Sequence, residues 1–302
     1  MKNEKTTKIL IVGASGYIGS ELFKAAKNKF HVNGTSSRYQ KDLIRLNLKE
    51  AEHFSYELIA SDSVVVITAA ISAPDVCTND YSSAFEINVL GTATLIANVL
   101  ERGSRVIFFS SDAVYGECSE ICDERSPPKP LGEYARMKHE IETRFESNSR
   151  FKSLRLSYVF SREDKFTKYL LKCANKKIEA DIFHPFYRSV VYLQDVIEGV
   201  IALIENWDKH PQSILNFGGA ETISRIKFAE TFNQHTQLGM KFTVTEPSCE
   251  FFSSRPRSIA MSSPFFKILL GRLPLNLDEA MHIELPLHEL QSNSKFENGK
   301  KQ

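Results

Sequence analysis

The sequence predicts an α/β fold, a doubly wound parallel sheet with a smaller C-terminal lobe. Three observations carry that expectation. Short, continuous apolar runs alternate with longer segments of helical period, the first run ends in a glycine-spaced turn, and the alternation loosens after about residue 160. Apolar strands separated by helices indicate a parallel sheet covered on both faces.

Taken in order, the expected strands are KILIVG (8–13), FHVNGTS (30–36), LIRLNL (43–48), SVVVITAA (63–70) and RVIFFSS (105–111). The segments IGSELFKAAKNK, AFEINVLGTATLIANVLERG and EYARMKHEIETRFES carry apolar residues at the spacing of a helix face. After SLRLSYVFS (153–161) come the basic stretch KYLLKCANKK and the Pro/aromatic stretch FHPFYRSVVYL, with more scattered strand and helix signals. Residues 1–160 are therefore read as a nucleotide-binding domain, with a later segment near 187–206 packing back onto it. Residues 161–290 are read mainly as a second lobe and 291–302, QSNSKFENGKKQ, as a disordered tail.

Composition narrows the function. Lys+Arg 38 against Asp+Glu 37 leaves a net charge of +1, so no global field draws the chain to nucleic acid or to an anionic membrane. No apolar stretch approaches the roughly 18 residues that span a bilayer, and the N-terminal run is too short for a signal peptide, which points to the cytoplasm. The cysteines at 77, 118, 122, 173 and 249 are odd in number and form no C-x-x-C pair, as expected of reduced thiols. Cys118 and Cys122 lack the second pair that a tetrahedral metal site needs, and no ligand cluster for magnesium is readable.

GASGYIG (13–19) follows the first expected strand and opens the first helix, setting Gly13, Gly16 and Gly19 where a backbone must turn tightly against a pyrophosphate. This strand–turn–helix setting makes the fold Rossmann-type and the ligand a dinucleotide. At the end of the second strand the chain reads GTSSR. An acidic residue there would bond a ribose 2′-hydroxyl and repel a 2′-phosphate. Ser36, Ser37 and Arg38 are donors instead, which favours NADPH, with NADH as the other possibility.

Tyr134 and Lys138 in EYARMK are four apart, on one face of the expected helix. An ammonium beside a phenol favours the phenolate, so Lys138 is expected to lower the Tyr134 pKa. FFSSDAVYG (108–116) places Ser110, Ser111 and Asp112 at the carboxyl end of a strand, where open α/β sheets bind ligands. Ser111 precedes Tyr134 by 23 residues and could bond the same substrate oxygen.

Together these residues resemble the extended short-chain dehydrogenase/reductase family over nearly the whole chain up to about residue 285. EINVLGT (86–92), YRSVVYLQDV (187–196) and SRPRS (254–258) add to the resemblance. It implies Ser111, Tyr134 and Lys138 as the catalytic set, with Lys138 also holding the nicotinamide ribose. It extends the cofactor-binding set to Ser15, Tyr17 and Ile18 in the glycine turn, Asn47 and Leu48, Ala69 and Ala70, and Asn88. Arg188 and Arg255 would contact the diphosphate of a nucleotide-sugar substrate, and Asp112 would help orient it. A homodimer through the helices carrying NVLGT and YARMK is also implied. Ser189 stands where the family has an Asp, and Asn47 where it commonly has an adenine-contacting Asp.

Family dehydratases carry Thr-Asp-Glu before Val-Tyr-Gly, whereas this chain has Ser111-Asp112-Ala113. Alanine moves no proton, so elimination lacks its base. The resemblance is greater to reductases of the dTDP-4-dehydrorhamnose reductase kind, which implies hydride transfer to the C-4 carbonyl of a 4-keto-6-deoxy nucleotide sugar, for cell-surface polysaccharide. A 4-epimerase with tightly bound NAD(P) and a non-catalytic NADP-binding regulatory subunit are the alternatives.

Overall fold

The computed structural model describes residues 7–286, so the expectation for the tail 291–302 and the last residues of the second lobe lies outside the described residues. The first half contributes strands β1 (Lys8–Val12), β2 (His31–Ser36), β3 (Ile44–Arg45), β4 (Val64–Ile67), β5 (Arg105–Ser111) and β6 (Phe151–Leu156). Shorter strands follow: β7 (Val159–Phe160), β8 (Ala180–Phe183), β9 (Tyr187–Arg188), β10 (Val191–Tyr192), β11 (Ile214–Phe217), β12 (Ile223–Ser224), β13 (Phe242–Thr245) and β14 (Ser258–Ile259).

Seven strands make one parallel sheet in the order β11-β6-β5-β4-β1-β2-β3. The chain winds outward from β1 to β3, then returns to lay β4 on the other side of β1 and winds outward again. The order thus reverses between β1 and β4, and a cleft opens there at the carboxyl ends of the strands. Register follows the apolar runs, with Val12 opposite Ile67 and Ile67 opposite Phe108. Val64 to Ile67 are all wholly buried, because helices cover both faces. Each such side chain contributes about 1.5–3 kcal/mol relative to exposure.

The two faces have separate cores. Helix Tyr17–Ala26 and helix Leu193–Glu205 cover one, helix Thr92–Glu101 and helix Glu133–Phe145 the other. The packing-back of the later chain extends beyond 187–206, since β11 and helix Pro264–Leu270 also join the first core. A third core, including Phe160, Phe166, Phe228, Phe232 and Met281, belongs to the second lobe, where β8 pairs β13 and β9 lies between β12 and β14.

Two expectations change. LIRLNL is a strand only at Ile44–Arg45, because the Asn47 side chain accepts from Lys49 N and caps a 3₁₀ turn beginning at Leu48. The expected helix around EINVLGT contains a π-helical stretch, Glu86–Gly91. Here Gly91 passes so close to Leu48 that an added Cβ would lie 1.8 Å from its carbonyl oxygen. Tyr81–Glu101 is a 21-residue helix long and apolar enough, by length and composition alone, to cross a bilayer. Its Val89, Leu95, Ile96 and Val99 are fully buried in the core beside β4 and β5.

Candidate active site

The glycine turn is shaped from both sides. Gly13 has φ +90, and a Cβ on it would meet Ala69 and Thr68 at 2.9 Å; one on Gly19 would lie 2.2 Å from Gly13 O. These two glycines are needed for strand, turn and helix to pack. A Cβ on Gly16 meets only Gly13 O, at 3.2 Å. Gly16 is therefore the glycine left open for a ligand, at a helix start with no side-chain cap and no acidic residue in its first turn. Free amides at that end suit an anion such as a pyrophosphate. Tyr17 reaches the second lobe, its hydroxyl donating to Ser161 Oγ at 2.7 Å, and Ile18 packs against the first core.

At the end of β2, Ser15 Oγ donates to Ser36 Oγ at 3.2 Å, and Arg38 N approaches the same oxygen at 3.4 Å. Ser37 and Arg38 are exposed, and the Arg38 guanidinium meets no acceptor among the described residues. Ala69 and Ala70 line the turn after β4, half-buried. Asn88 acts on that turn: its Oδ1 accepts from Ile71 N at 2.8 Å and its Nδ2 donates to Ile71 O at 2.9 Å. Both ends of the buried amide are thus spent on the backbone of one residue, and Asn88 holds the loop. The residues present fit a dinucleotide with its pyrophosphate at Gly16 and its adenosine ribose near Ser36.

At the end of β5, Ser111 is half-buried and Ser110, on the alternate side, is 4 % exposed. Ser111 Oγ caps the following 3₁₀ turn by accepting from Ala113 N at 3.2 Å, and it donates to Asp112 Oδ1 at 3.2 Å. Asp112 is buried and also accepts from Ser157 Oγ at 2.9 Å. Burial pushes its carboxyl above the usual range, against the Arg188 charge and these hydrogen bonds. Lys138 Nζ donates to Phe109 O at 2.7 Å and lies 5.8 Å from the centre of the Tyr134 ring.

The expected lowering of the Tyr134 pKa is not what this arrangement produces. Burial, then the Asp112 carboxylate and the Cys77 thiol, push the phenol above its ordinary value, with only a hydrogen bond to Ser111 acting the other way. Burial likewise pulls Lys138 down to about 8, against Glu142 and Cys77. Lys138 does not offset the burial of Tyr134, which favours the neutral phenol.

The arginines are already paired. Arg188 donates to Tyr187 O at 2.6 Å and Pro256 O at 2.8 Å, with Nε 3.7 Å from Asp112 Oδ2. It is neither a surface ion pair nor an open phosphate ligand; its guanidinium ties the second lobe to the strand end. Arg255 makes a two-pronged pair with Asp75, at 2.7 and 2.6 Å, across the mouth of the cleft from helix Pro74–Asn79. A diphosphate at Arg255 would have to replace Asp75. Ser189, in place of the family Asp, bonds Thr222 and Met261 N instead.

Arg225 was not picked out from the sequence. Its guanidinium carbon stands over the rings of Phe166, at 4.3 Å, and Phe186, at 4.9 Å, and no acceptor meets it among the described residues. It lines a cleft with Arg188 and Ser224. Burial lowers its pKa, opposed by Tyr158 and Asp164 and assisted by Arg255. An isolated ISR triplet gives no sequence signal for this, because the two rings come from other elements.

A family model described as RmlD substrate binding domain matches residues 7–265. The chain is 24% identical over 211 residues to an N-acetyl-alpha-D-glucosaminyl-diphospho-ditrans,octacis-undecaprenol 4-epimerase of Escherichia coli O157:H7. That match covers 66% of this chain and 63% of the epimerase, less than two thirds of its length. It is 26% identical over 243 residues to the methionine adenosyltransferase 2 subunit beta of Xenopus tropicalis, covering 75% and 72%. Among solved structures, MoeE5 in complex with UDP-glucose and NAD superposes with a TM-score of 0.81 at 21% identity, covering 95% of this chain and 99% of that one. A dTDP-4-dehydrorhamnose reductase from Bacillus anthracis in complex with NADP gives 0.79 at 17%, covering 94% and 99%. These structural likenesses concern the fold.

Proposed function

Because the chain belongs to the RmlD substrate-binding family, among the extended short-chain dehydrogenases/reductases, we propose that it is an NADPH-dependent reductase of a 4-keto-6-deoxy nucleotide sugar. The observation that carries this reading is the Tyr134 phenol beside Ser111 at the end of β5, with a methyl group at Ala113 where water elimination needs a base. NADPH, when bound, supplies hydride to the C-4 carbonyl. Tyr134 gives its proton to the developing alkoxide, and Ser111 turns its hydroxyl from Asp112 to the same oxygen. Asp112 and Ser157 hold the strand end, and Lys138 stands next to the phenol to resupply its proton.

The preference for NADPH rests on Ser36, Ser37 and Arg38. Replacing Arg38 by Ala is expected to weaken NADPH roughly 10- to 100-fold, the worth of a charge-assisted hydrogen bond, and NADH hardly at all. Equal losses for the two cofactors, measured by fluorescence titration, would remove the assignment.

In this reading the diphosphate lies between Arg225, whose guanidinium meets no acceptor among the described residues, and Arg255. Arg225→Ala should raise the KM for the nucleotide sugar roughly 10-fold or more with little change in kcat. An unchanged KM in steady-state kinetics would take Arg225 out of the binding site.

A second reading is a non-catalytic NADP-binding regulatory subunit, and one similar protein, the methionine adenosyltransferase 2 subunit beta, is by name a subunit of a larger enzyme. One assay separates the two, and the 4-epimerase as well: NADPH absorbance followed with a panel of 4-keto nucleotide sugars. Stoichiometric oxidation supports the reductase. Inversion of a plain UDP-hexose without net oxidation supports the epimerase, and inertness with intact NADPH binding supports the subunit.

A further inference from the structure

The loop after the catalytic strand end carries Cys118 and Cys122, two free thiols whose Sγ atoms stand 2.7 Å apart. That separation is too short for non-bonded thiols at ease and lies toward the ~2.05 Å of a sulfur–sulfur bond. The backbone holds them there. Cys118 N donates to Ser258 O at 3.0 Å, Cys122 N to Ala260 O at 2.8 Å, and Ser262 N to Cys122 O at 2.9 Å. Glu117 fixes the start of the same strip, accepting from Arg257 N at 2.6 Å and Ser258 N at 2.9 Å. Both sulfurs pack against a small junction core of Val114, Tyr115, Ile259 and Met261. The residues between them, Ser119 to Ile121, are exposed, so a small reagent has access to the loop.

We propose that Cys118 and Cys122 form a reversible dithiol–disulfide pair, oxidised by low-molecular-weight disulfides. The Cys122 thiolate attacks one sulfur of the reagent, breaking its S–S bond and releasing one reagent thiolate. Cys118, as thiolate, then attacks the Cys122 sulfur of the mixed disulfide and releases the second. Two protein thiols lose two electrons, one reagent disulfide gains them, and the two protons from the cysteines end on the two released thiols. Cys122 goes first because its sulfur lies on the exposed side of the loop, while burial and then Cys122, Asp112 and Glu117 push the part-buried Cys118 thiol up and leave less of it as thiolate.

The bond would fasten the loop where it meets β14. That strand pairs with β9 at Tyr187 and Arg188, and Arg188 faces Asp112. Oxidation therefore acts on the join between the lobes and stands apart from the question of which sugar the protein reduces. The test is to incubate the reduced, full-length protein with excess oxidised glutathione, quench with acid and map the peptides by mass. A Cys118–Cys122 cross-link, 2 mass units lighter than the dithiol and reversed by dithiothreitol, is expected. In Cys118→Ser the reaction should stop at a glutathione adduct on Cys122, while Cys122→Ser should leave residue 118 largely unmodified. Two thiols that both remain alkylatable after wild-type protein has equilibrated with the reagent would overturn the proposal, and so would stable adducts on both without a cross-link.

Discussion

Tyr134→Phe is expected to lower kcat about 10²- to 10⁴-fold, the usual contribution of a positioned general acid, and to leave NADPH affinity within about twofold. The substitution keeps the ring against the second core and removes only the hydroxyl. Because burial and Asp112 keep that hydroxyl protonated, the wild-type rate should not fall as pH drops below neutrality on account of Tyr134. Single-turnover rates with saturating NADPH measure the chemical step without substrate binding. A variant with wild-type rates would show that another group delivers the proton.

Glu142→Leu should cost about 3–5 kcal/mol of unfolding free energy, because it strands a buried guanidinium. Glu142 and Arg155 are 1% and 4% exposed in their side chains and meet at 2.7 Å, with a further bond from Ser153 Oγ at 2.9 Å. Arg155 in turn stacks on Tyr115, whose hydroxyl bonds Asn216 at 2.7 Å, so the pair underlies the strand that presents Ser111. The double variant Glu142→Leu/Arg155→Met should recover most of the loss, as buried pairs replaced by apolar side chains often do. Burial alone would raise the Glu142 carboxyl, but the hydrogen bonds and charge of its neighbours bring it down from 4.5 to about 2. A depressed carboxyl stabilises the fold above its unfolded pKa, and that contribution is lost as pH falls from about 4.5 toward about 2. Urea unfolding should therefore show a steeper loss in this window for wild type than for the double variant. A single variant that costs under about 1 kcal/mol would mean that the pair is not the anchor described.

What could be read from the sequence was local. RVIFFSS is a strand over the same residues in the structure, GASGYIG turns where the glycines demand it, and Tyr134 and Lys138 fall on one helix. What could not be read depends on which distant groups meet. The Glu142–Arg155 pair joins a helix to a strand, Arg255 finds Asp75 from the far side of the cleft, and Asn88 turns to the Ile71 peptide. Local spacing carries no information about such encounters. The direction of the Tyr134 shift could not be read for the same reason: four residues of separation bring Lys138 near Tyr134, but enclosure by the rest of the fold decides which way the phenol shifts.

The reaction we propose is hydride transfer from NADPH to a ketone at C-4, with Tyr134 as the acid. NADPH deuterated at the transferred position, incubated with a 4-keto-6-deoxy nucleotide sugar, should yield a product with one deuterium at C-4 for each NADPH consumed, read by mass and proton NMR. NADPH that binds but stays unoxidised across such ketones, while a UDP-hexose inverts at C-4 or nothing turns over, would contradict it.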